Sequence, residues 1–317
     1  MPRRRLVAAA CIAATTVTVT ACGSSSVSGR STIDKADSKA APKVIHAIGA
    51  ENEYADVMKQ IGGKYVSVQA IMSNPNTDPH TYEAGTRDAA AVGQATLVVQ
   101  NGLGYDSFMN KLEAGAPNPN RKVIDVSQAL GLSKNTRNPH LWYKPETMTK
   151  IAQLVADALS AQDPKQKAYF EANLKKFQDS LRTWHQEVTN LKREYPHAGV
   201  AVTEPVADYL LQAAGLDIKT PWAYEAAVMN DTDPAPQLVQ QEDNLLKQRR
   251  VKVLVYNQQV VDPATKALLG LAKQNHIPVA GVYETMPAHH DYQSWMEAEV
   301  TALKRALQKG QSTERID

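Results

Sequence analysis

Two histidines and two glutamates carry the chemistry open to this sequence. His80 follows Asp78-Pro79 and His140 follows Asn138-Pro139, each in a polar loop downstream of an apolar, β-branched run. Proline holds φ near −65° and stiffens the chain ahead of the imidazole, which suits a ligand that must be in place before an ion arrives. The same X-Pro-His unit also serves as an ordinary turn in which the ring hydrogen-bonds locally. Glu204 ends the run 199–203 and Glu284 ends the run 278–283. The carboxyl end of a strand is where open α/β sheets bind ligands, although a lone acid there also serves as a salt-bridge partner or a helix N-terminal charge. Two imidazoles in the first half of the chain and two carboxylates in the second suit a borderline divalent transition ion such as Zn²⁺ or Mn²⁺. Thiolate ligands for copper(I) or iron–sulfur clusters are absent from this set. A calcium or magnesium site built from oxygen would not use the histidines.

The elements that must position these residues fall into two similar halves. Residues 44–50, 65–72, 95–99 and 122–126 read as strands, with helices over 53–61, 87–94 and 146–160. The pattern restarts with strands at 199–203, 251–256 and 278–283 and helices at 207–214, 235–250, 263–275 and 292–308. Strands alternating with helices imply parallel sheets, so the expected fold is α/β: two small open parallel-sheet lobes joined by one long backbone helix. That helix spans 164–194, free of Gly and Pro after Pro164, with Asp163 as N-cap and Pro164 at the first position. Phe170, Leu174, Phe177, Leu181, Trp184, Val188 and Leu191 form a stripe at alternating steps of four and three. Such a stripe also fits a coiled-coil seam, but it lasts only about four heptads and both flanks read as α/β. A rigid spine of roughly 45 Å packed across both lobes is the better reading.

The 317 residues can hold one large or two ordinary domains. The formal charge is +2, of which Arg3, Arg4 and Arg5 supply three positives, leaving the rest near neutral. Such a chain gives no support for nucleic-acid binding. The three arginines open a segment whose residues 6–21 are apolar and small, ending Val19-Thr20-Ala21-Cys22-Gly23. This resembles a bacterial lipobox, in which Cys22 becomes lipidated and N-terminal; an ordinary signal peptide is the alternative. The other cysteine, Cys11, lies in the part that would be removed, so no disulfide is expected. The expected organisation is a signal peptide over 1–21, a flexible tether over 22–42, an N-terminal lobe over 43–160, the linking helix over 161–195, a C-terminal lobe over 196–310 and a tail over 311–317. No His-Glu-x-x-His, Gly-x-Ser-x-Gly or phosphate-cradling glycine loop is present.

Four stretches in the first half carry a family resemblance: Ile61-Gly62-Gly63, Asn76-Thr77-Asp78-Pro79-His80-Thr81-Tyr82-Glu83, Leu97-Val98-Val99-Gln100-Asn101-Gly102-Leu103-Gly104 and Asn138-Pro139-His140-Leu141-Trp142. Thr203-Glu204-Pro205, the run from Val251 to Asn257, and Glu284-Thr285-Met286-Pro287 continue it in the second half. Together these resemble the substrate-binding lipoproteins of zinc/manganese ABC transporters (cluster A-I), over nearly all of 44–307. The resemblance implies a non-enzymatic, monomeric, lipid-anchored protein on the extracytoplasmic face of a bacterial cell membrane. It would capture zinc or manganese between its lobes, use no organic cofactor and deliver the ion to an ABC permease. It places metal ligands on His80, His140 and Glu204. The family's fourth ligand is usually an Asp; this sequence offers Glu284 there, with His289, His290 or Asp291 behind it. Many zinc members carry a long His- and acid-rich loop after the first ligand, whereas no other histidine lies between His80 and His140. A surface adhesin with a structural metal and a metal-dependent hydrolase are the alternatives. Glu51 and Asn52 either support a ligand from the cleft wall or cap the first helix. His46, His185, His197 and His276 read as ordinary surface or packing residues.

Overall fold

A computed structural model describes residues 44–75 and 82–316. The first half contains β1 (Ile45–Glu51), α1 (Asn52–Gly62), β2 (Val66–Met72), α2 (Thr86–Gln94), β3 (Leu97–Gln100), α3 (Ser107–Gly115), β4 (Lys122–Asp125) and the short α4 (Val126–Ala129). Their strands form one parallel sheet in the order β2-β1-β3-β4. Next come α5 (Thr147–Gln162), α6 (Lys167–Ser180) and α7 (Arg182–Glu194). The second half contains β5 (Gly199–Val202), α8 (Asp208–Ala213), β6 (Asp217–Ile218), α9 (Trp222–Met229), α10 (Pro236–Lys247), β7 (Val253–Asn257), α11 (Pro263–Gln274), β8 (Val279–Val282) and α12 (Tyr292–Lys309). Its parallel sheet, in the order β6-β5-β7-β8, repeats the topology of the first. The central strands β3 and β7 are buried along their whole length, and their apolar runs Leu97–Val99 and Val253–Tyr256 suit strands covered on both faces. Past α12 the chain returns to the sheet, where Thr313 bridges to Ala280 in parallel and Ile316 is buried.

The long helix is present but bent. A 3-10 turn at Pro164–Gln166 leads into α6, and Leu181 separates α6 from α7 while keeping right-handed helical backbone angles (φ −73°, ψ −11°). At the break the Ser180 hydroxyl donates to the Phe177 carbonyl at 2.7 Å, sharing it with the Leu181 N–H, whose bond to the same oxygen is 3.3 Å long. Such back-bonding bends helices. All seven residues of the stripe are buried. They lie in one hydrophobic core that also takes in Ile45, Leu97 and Val99 of the first sheet and Val200, Val253 and Val255 of the second. The stripe therefore faces the chain's own lobes and is not a dimer seam. α6 packs on α1 and α5, and α7 packs on α12 and α8, so the bend divides the spine between the lobes. Each sheet's other face is covered by its own smaller core, around Val98 and Met109 in the first lobe and Leu254 and Leu268 in the second.

Candidate metal centre

Strand order reverses between β1 and β3 in one lobe and between β5 and β7 in the other. Ligands bind outside the carboxyl ends of the strands at such switch points. Here those ends present Glu51 and Asn101 on one side and Glu204 and Asn257 on the other, all buried. The chain after β3 turns at Gly102 with φ +81°, where an added Cβ would lie 2.7 Å from both Asp125 and Ser127, so the turn requires glycine. That turn leaves Asn101 free to fix the histidine loop: its amide donates to the Pro139 carbonyl at 2.8 Å, and the Tyr54 hydroxyl donates to its oxygen at 2.7 Å.

His140 is fully buried, with Tyr105 and Trp142 packed edge-on at ring-centroid distances of 5.7 and 5.4 Å. Its tautomer follows from its partners. Asn138 Oδ1 accepts from the His140 backbone N–H at 2.9 Å, while Asn138 Nδ2 donates to the Pro205 carbonyl at 2.7 Å. The asparagine oxygen therefore faces His140 Nδ1 at 2.8 Å, and Nδ1 must be the donor. Nε2 is left as the basic nitrogen, and it points across the cleft to Glu284 Oε2 at 3.2 Å. The Tyr105 hydroxyl donates to the same oxygen at 3.0 Å. Burial, and next the Glu284 charge, hold the Tyr105 phenol well above its ordinary pKa, so it stays a donor.

On the second lobe Asn257 organises both acids. Its Nδ2 donates to Glu204 Oε1 and to Glu284 Oε1, each at 2.7 Å, and its Oδ1 accepts from the Gln259 backbone N–H. One oxygen of each carboxylate is thus held from behind. Gln259 accepts from the backbone N–H groups of Glu284 and Thr285, and its amide donates to Pro75 in the opposite lobe at 3.1 Å. Among the described residues no three His, Cys, Asp or Glu side chains converge on one point. His140 touches Glu284, and the Asn257 amide stands between Glu284 and Glu204.

Two further ties lock the lobes beside this pair. The Tyr143 hydroxyl donates to the Tyr283 carbonyl at 2.7 Å and lies 2.9 Å from Glu299 Oε1, which also accepts from Trp295 Nε1 and the Tyr283 N–H. Burial pushes the Glu299 carboxyl up to about 8. Asn52 donates to the Met286 carbonyl and accepts from the Met286 N–H, at 2.8 and 3.0 Å.

His80, expected as a ligand, lies outside the described residues. His140, Glu204 and Glu284 lie in the buried cluster. His289 is exposed in the left-handed region (φ +67°), His290 pairs with Ser294, and Asp291 caps α12. Of the four residues considered for the fourth position, Glu284 is the one against His140. Asn52 links the lobes and Glu51 makes no side-chain cap, so neither caps α1. Glu51 and Glu53 are fully buried, and among the described residues no side-chain oxygen of either has a hydrogen-bond partner. Burial first, then neighbouring acids including Asp106, push both carboxyls well up. Sequence reasoning missed the roles of Tyr105, Asn257 and Gln259; for the last two, the position of Asn257 at the end of a buried strand was the available signal.

Two parallel α/β lobes on a bent helix, with an imidazole–carboxylate contact buried between them, define a two-lobed solute-binding protein. Residues 50–306 match the family described as ZnuA, zinc-uptake complex component A, periplasmic, and the chain belongs to that family. It is 24% identical over 249 residues to the manganese ABC transporter substrate-binding lipoprotein PsaA of Streptococcus mitis, covering 74% of this chain and 78% of the relative. It is 24% identical over 259 residues to the metal ABC transporter substrate-binding lipoprotein FimA of Streptococcus parasanguinis, covering 77% and 81%. The periplasmic zinc binding protein TroA from Treponema pallidum has the same fold, with a TM-score of 0.71, 18% identity and coverage of 82% of this chain and 98% of that one. Among the described residues no helix is long and apolar enough to cross a membrane.

Proposed function

We propose that this protein captures a divalent transition-metal ion, zinc or manganese, between its lobes and delivers it to an ABC permease on the extracytoplasmic face of the membrane, held there by a lipid on Cys22. The ligands are His140, Glu204 and Glu284, with His80 as the fourth. The observation that carries this reading is the set of orientations around His140 and Glu284. Asn138 Oδ1 accepts a hydrogen bond from the His140 Nδ1–H, so the basic Nε2 faces a carboxylate oxygen at 3.2 Å across the cleft. A basic nitrogen and an anionic oxygen aimed at each other need a cation between them, a proton when empty and a metal when loaded. Asn138 and Asn257 are the outer partners that orient such ligands. Entry of the ion must part the His140–Glu284 contact, and the shared core limits that movement to small shifts of the lobes. No feature of the described residues favours the adhesin or hydrolase alternative.

The test is thermal unfolding of the chelator-stripped full chain with Zn²⁺, Mn²⁺, Ca²⁺ or Mg²⁺, beside a His140→Ala/Glu204→Ala variant. An ion at 100 times its Kd stabilises by about 2.7 kcal/mol, or roughly 4–5 °C in a chain of this size. A shift of that order with Zn²⁺ or Mn²⁺, lost in the variant, is the expected result. No shift with either ion overturns the reading.

A further inference from the structure

We propose that Arg137 is an inter-lobe latch: it closes over a buried pair of acids, Asp208 and Glu225, when the lobes meet, and so slows release of the ion. The effect on release rests on the metal-binding reading above; the latch itself does not. Arg137 comes from the first lobe and is exposed. Its guanidinium lies over the Trp222 ring of α9, 4.7 Å from the centroid. It also attracts Glu225, three residues further along the same helix and on the same face. Glu225 and Asp208, the first residue of α8, are only 2% and 5% exposed, and their carboxyls hydrogen-bond to each other.

Two carboxyls in contact do not readily ionise together. Burial pushes Asp208 up to about 6, and burial followed by the Asp208 charge pushes Glu225 higher. At neutral pH the pair therefore holds one proton and one negative charge, with Arg137 as its cation. The other titratable groups facing it are Glu242 of α10, pushed up to about 8 by burial and bonded to Thr220, and Tyr209, whose phenol burial and the Asp208 charge push up. Neither supplies a positive charge. The latch is also joined closely to the ion site. Arg137 is three residues from His140, and Asp208 is four from Glu204. Between them the Asn138 amide donates to the Pro205 carbonyl at 2.7 Å, and the Tyr209 hydroxyl donates to the Asn138 carbonyl at 2.9 Å. A movement that draws His140 away from Glu204 must draw Arg137 off the acids. The charge left behind in the second lobe then favours uptake of a proton. Closure thus releases a proton, and the latch is lost as the pH falls through about 6.

Trp222 reports the latch directly, because it is half-buried while Trp142, Trp184 and Trp295 are fully buried. Acrylamide quenching of the metal-free full chain compares wild type, Arg137→Gln and Asp208→Asn/Glu225→Gln at about pH 7.5 and about pH 5. Stopped-flow transfer of Zn²⁺ to excess chelator gives release rates for the same proteins. At the higher pH both variants should quench more than wild type and release Zn²⁺ on the order of five-fold faster. At the lower pH wild type should quench like the variants and the release rates should converge. An arginine–tryptophan stack that does not need the acids would leave the acid-pair variant like wild type, and a merely structural role would keep the rate ratio the same at both pH values. Either result overturns the proposal. If the acid-pair variant does not fold, convergence of wild type and Arg137→Gln at the lower pH decides. Failure to bind Zn²⁺ strikes the metal reading instead, and quenching of the metal-free chain still shows whether the latch exists.

Discussion

Replacing Asn257 by Leu should cost the empty protein stability and the ion site affinity together. The substitution keeps the approximate volume of a fully buried side chain and removes the amide. Two hydrogen bonds of 2.7 Å to carboxylates are lost. A bond to a charged group contributes about 1.5–3 kcal/mol, so the loss is at least about 3 kcal/mol. In a chain of this size this lowers the unfolding midpoint by roughly 4–5 °C. The amide also holds the rear oxygen of each acid, so its removal should weaken metal binding about 10–100-fold. Urea unfolding of the stripped protein measures the first quantity, and titration calorimetry with Zn²⁺ and Mn²⁺ the second. A variant within about 0.5 kcal/mol of wild type, with unchanged Kd, would refute the assignment of Asn257 as the common support of both carboxylates.

Tyr143→Phe removes the hydroxyl tied to Tyr283 and Glu299, and chemical denaturation should show a loss of about 1–3 kcal/mol. Burial pushes the Glu242 carboxyl up to about 8 from an ordinary 4.5. The folded chain therefore keeps a proton that the unfolded chain has released, and Glu242's contribution is complete below about pH 4.5 and lost as the pH rises to about 8. Glu242→Gln keeps a partner for Thr220 without the titration, so its stability relative to wild type should improve by on the order of 2–4 kcal/mol between about pH 5 and pH 8 in parallel urea series. Gly281→Ala would place a Cβ on the Glu314 carbonyl; faster hydrogen exchange at the Thr313 amide, which bonds to Val279, is the expected readout.

Patterns that repeat along the chain were legible, and contacts that cross it were not. The stripe from Phe170 to Leu191 announced a buried spine because side chains on one helical face need only the 3.6-residue period to be found. The alternation of strands and helices on both flanks likewise announced two parallel sheets. The break at Leu181 was not visible, because it depends on the rotamer of Ser180. α3 and α9 were missed: α9 reads Trp-Ala-Tyr-Glu-Ala-Ala-Val-Met, apolar on most faces and without a usable period. At the site, His140, Glu204 and Glu284 stood out as chemically capable residues at strand ends or after proline. Asn257, Gln259 and Tyr105 did not, since the partners that tie them to the acids and to the opposite lobe lie 25 to 184 residues away along the chain. An amide or phenol acquires its role only when the lobes meet.

The continuous core around the spine also dictates the order in which this protein can finish folding. α7 is covered by α12, the last helix of the chain. Until that helix has left the ribosome, Trp184, Val188 and Leu191 have no complete cover, although α1 and α5 are already available to shield Phe170, Leu174 and Phe177. A nascent chain therefore carries a sticky half-spine through most of its synthesis. Loss of α12 from its first residue removes Tyr292, whose ring packs edge-on against Trp184 at 5.9 Å, so truncation before that helix should yield aggregation-prone protein rather than one well-folded lobe.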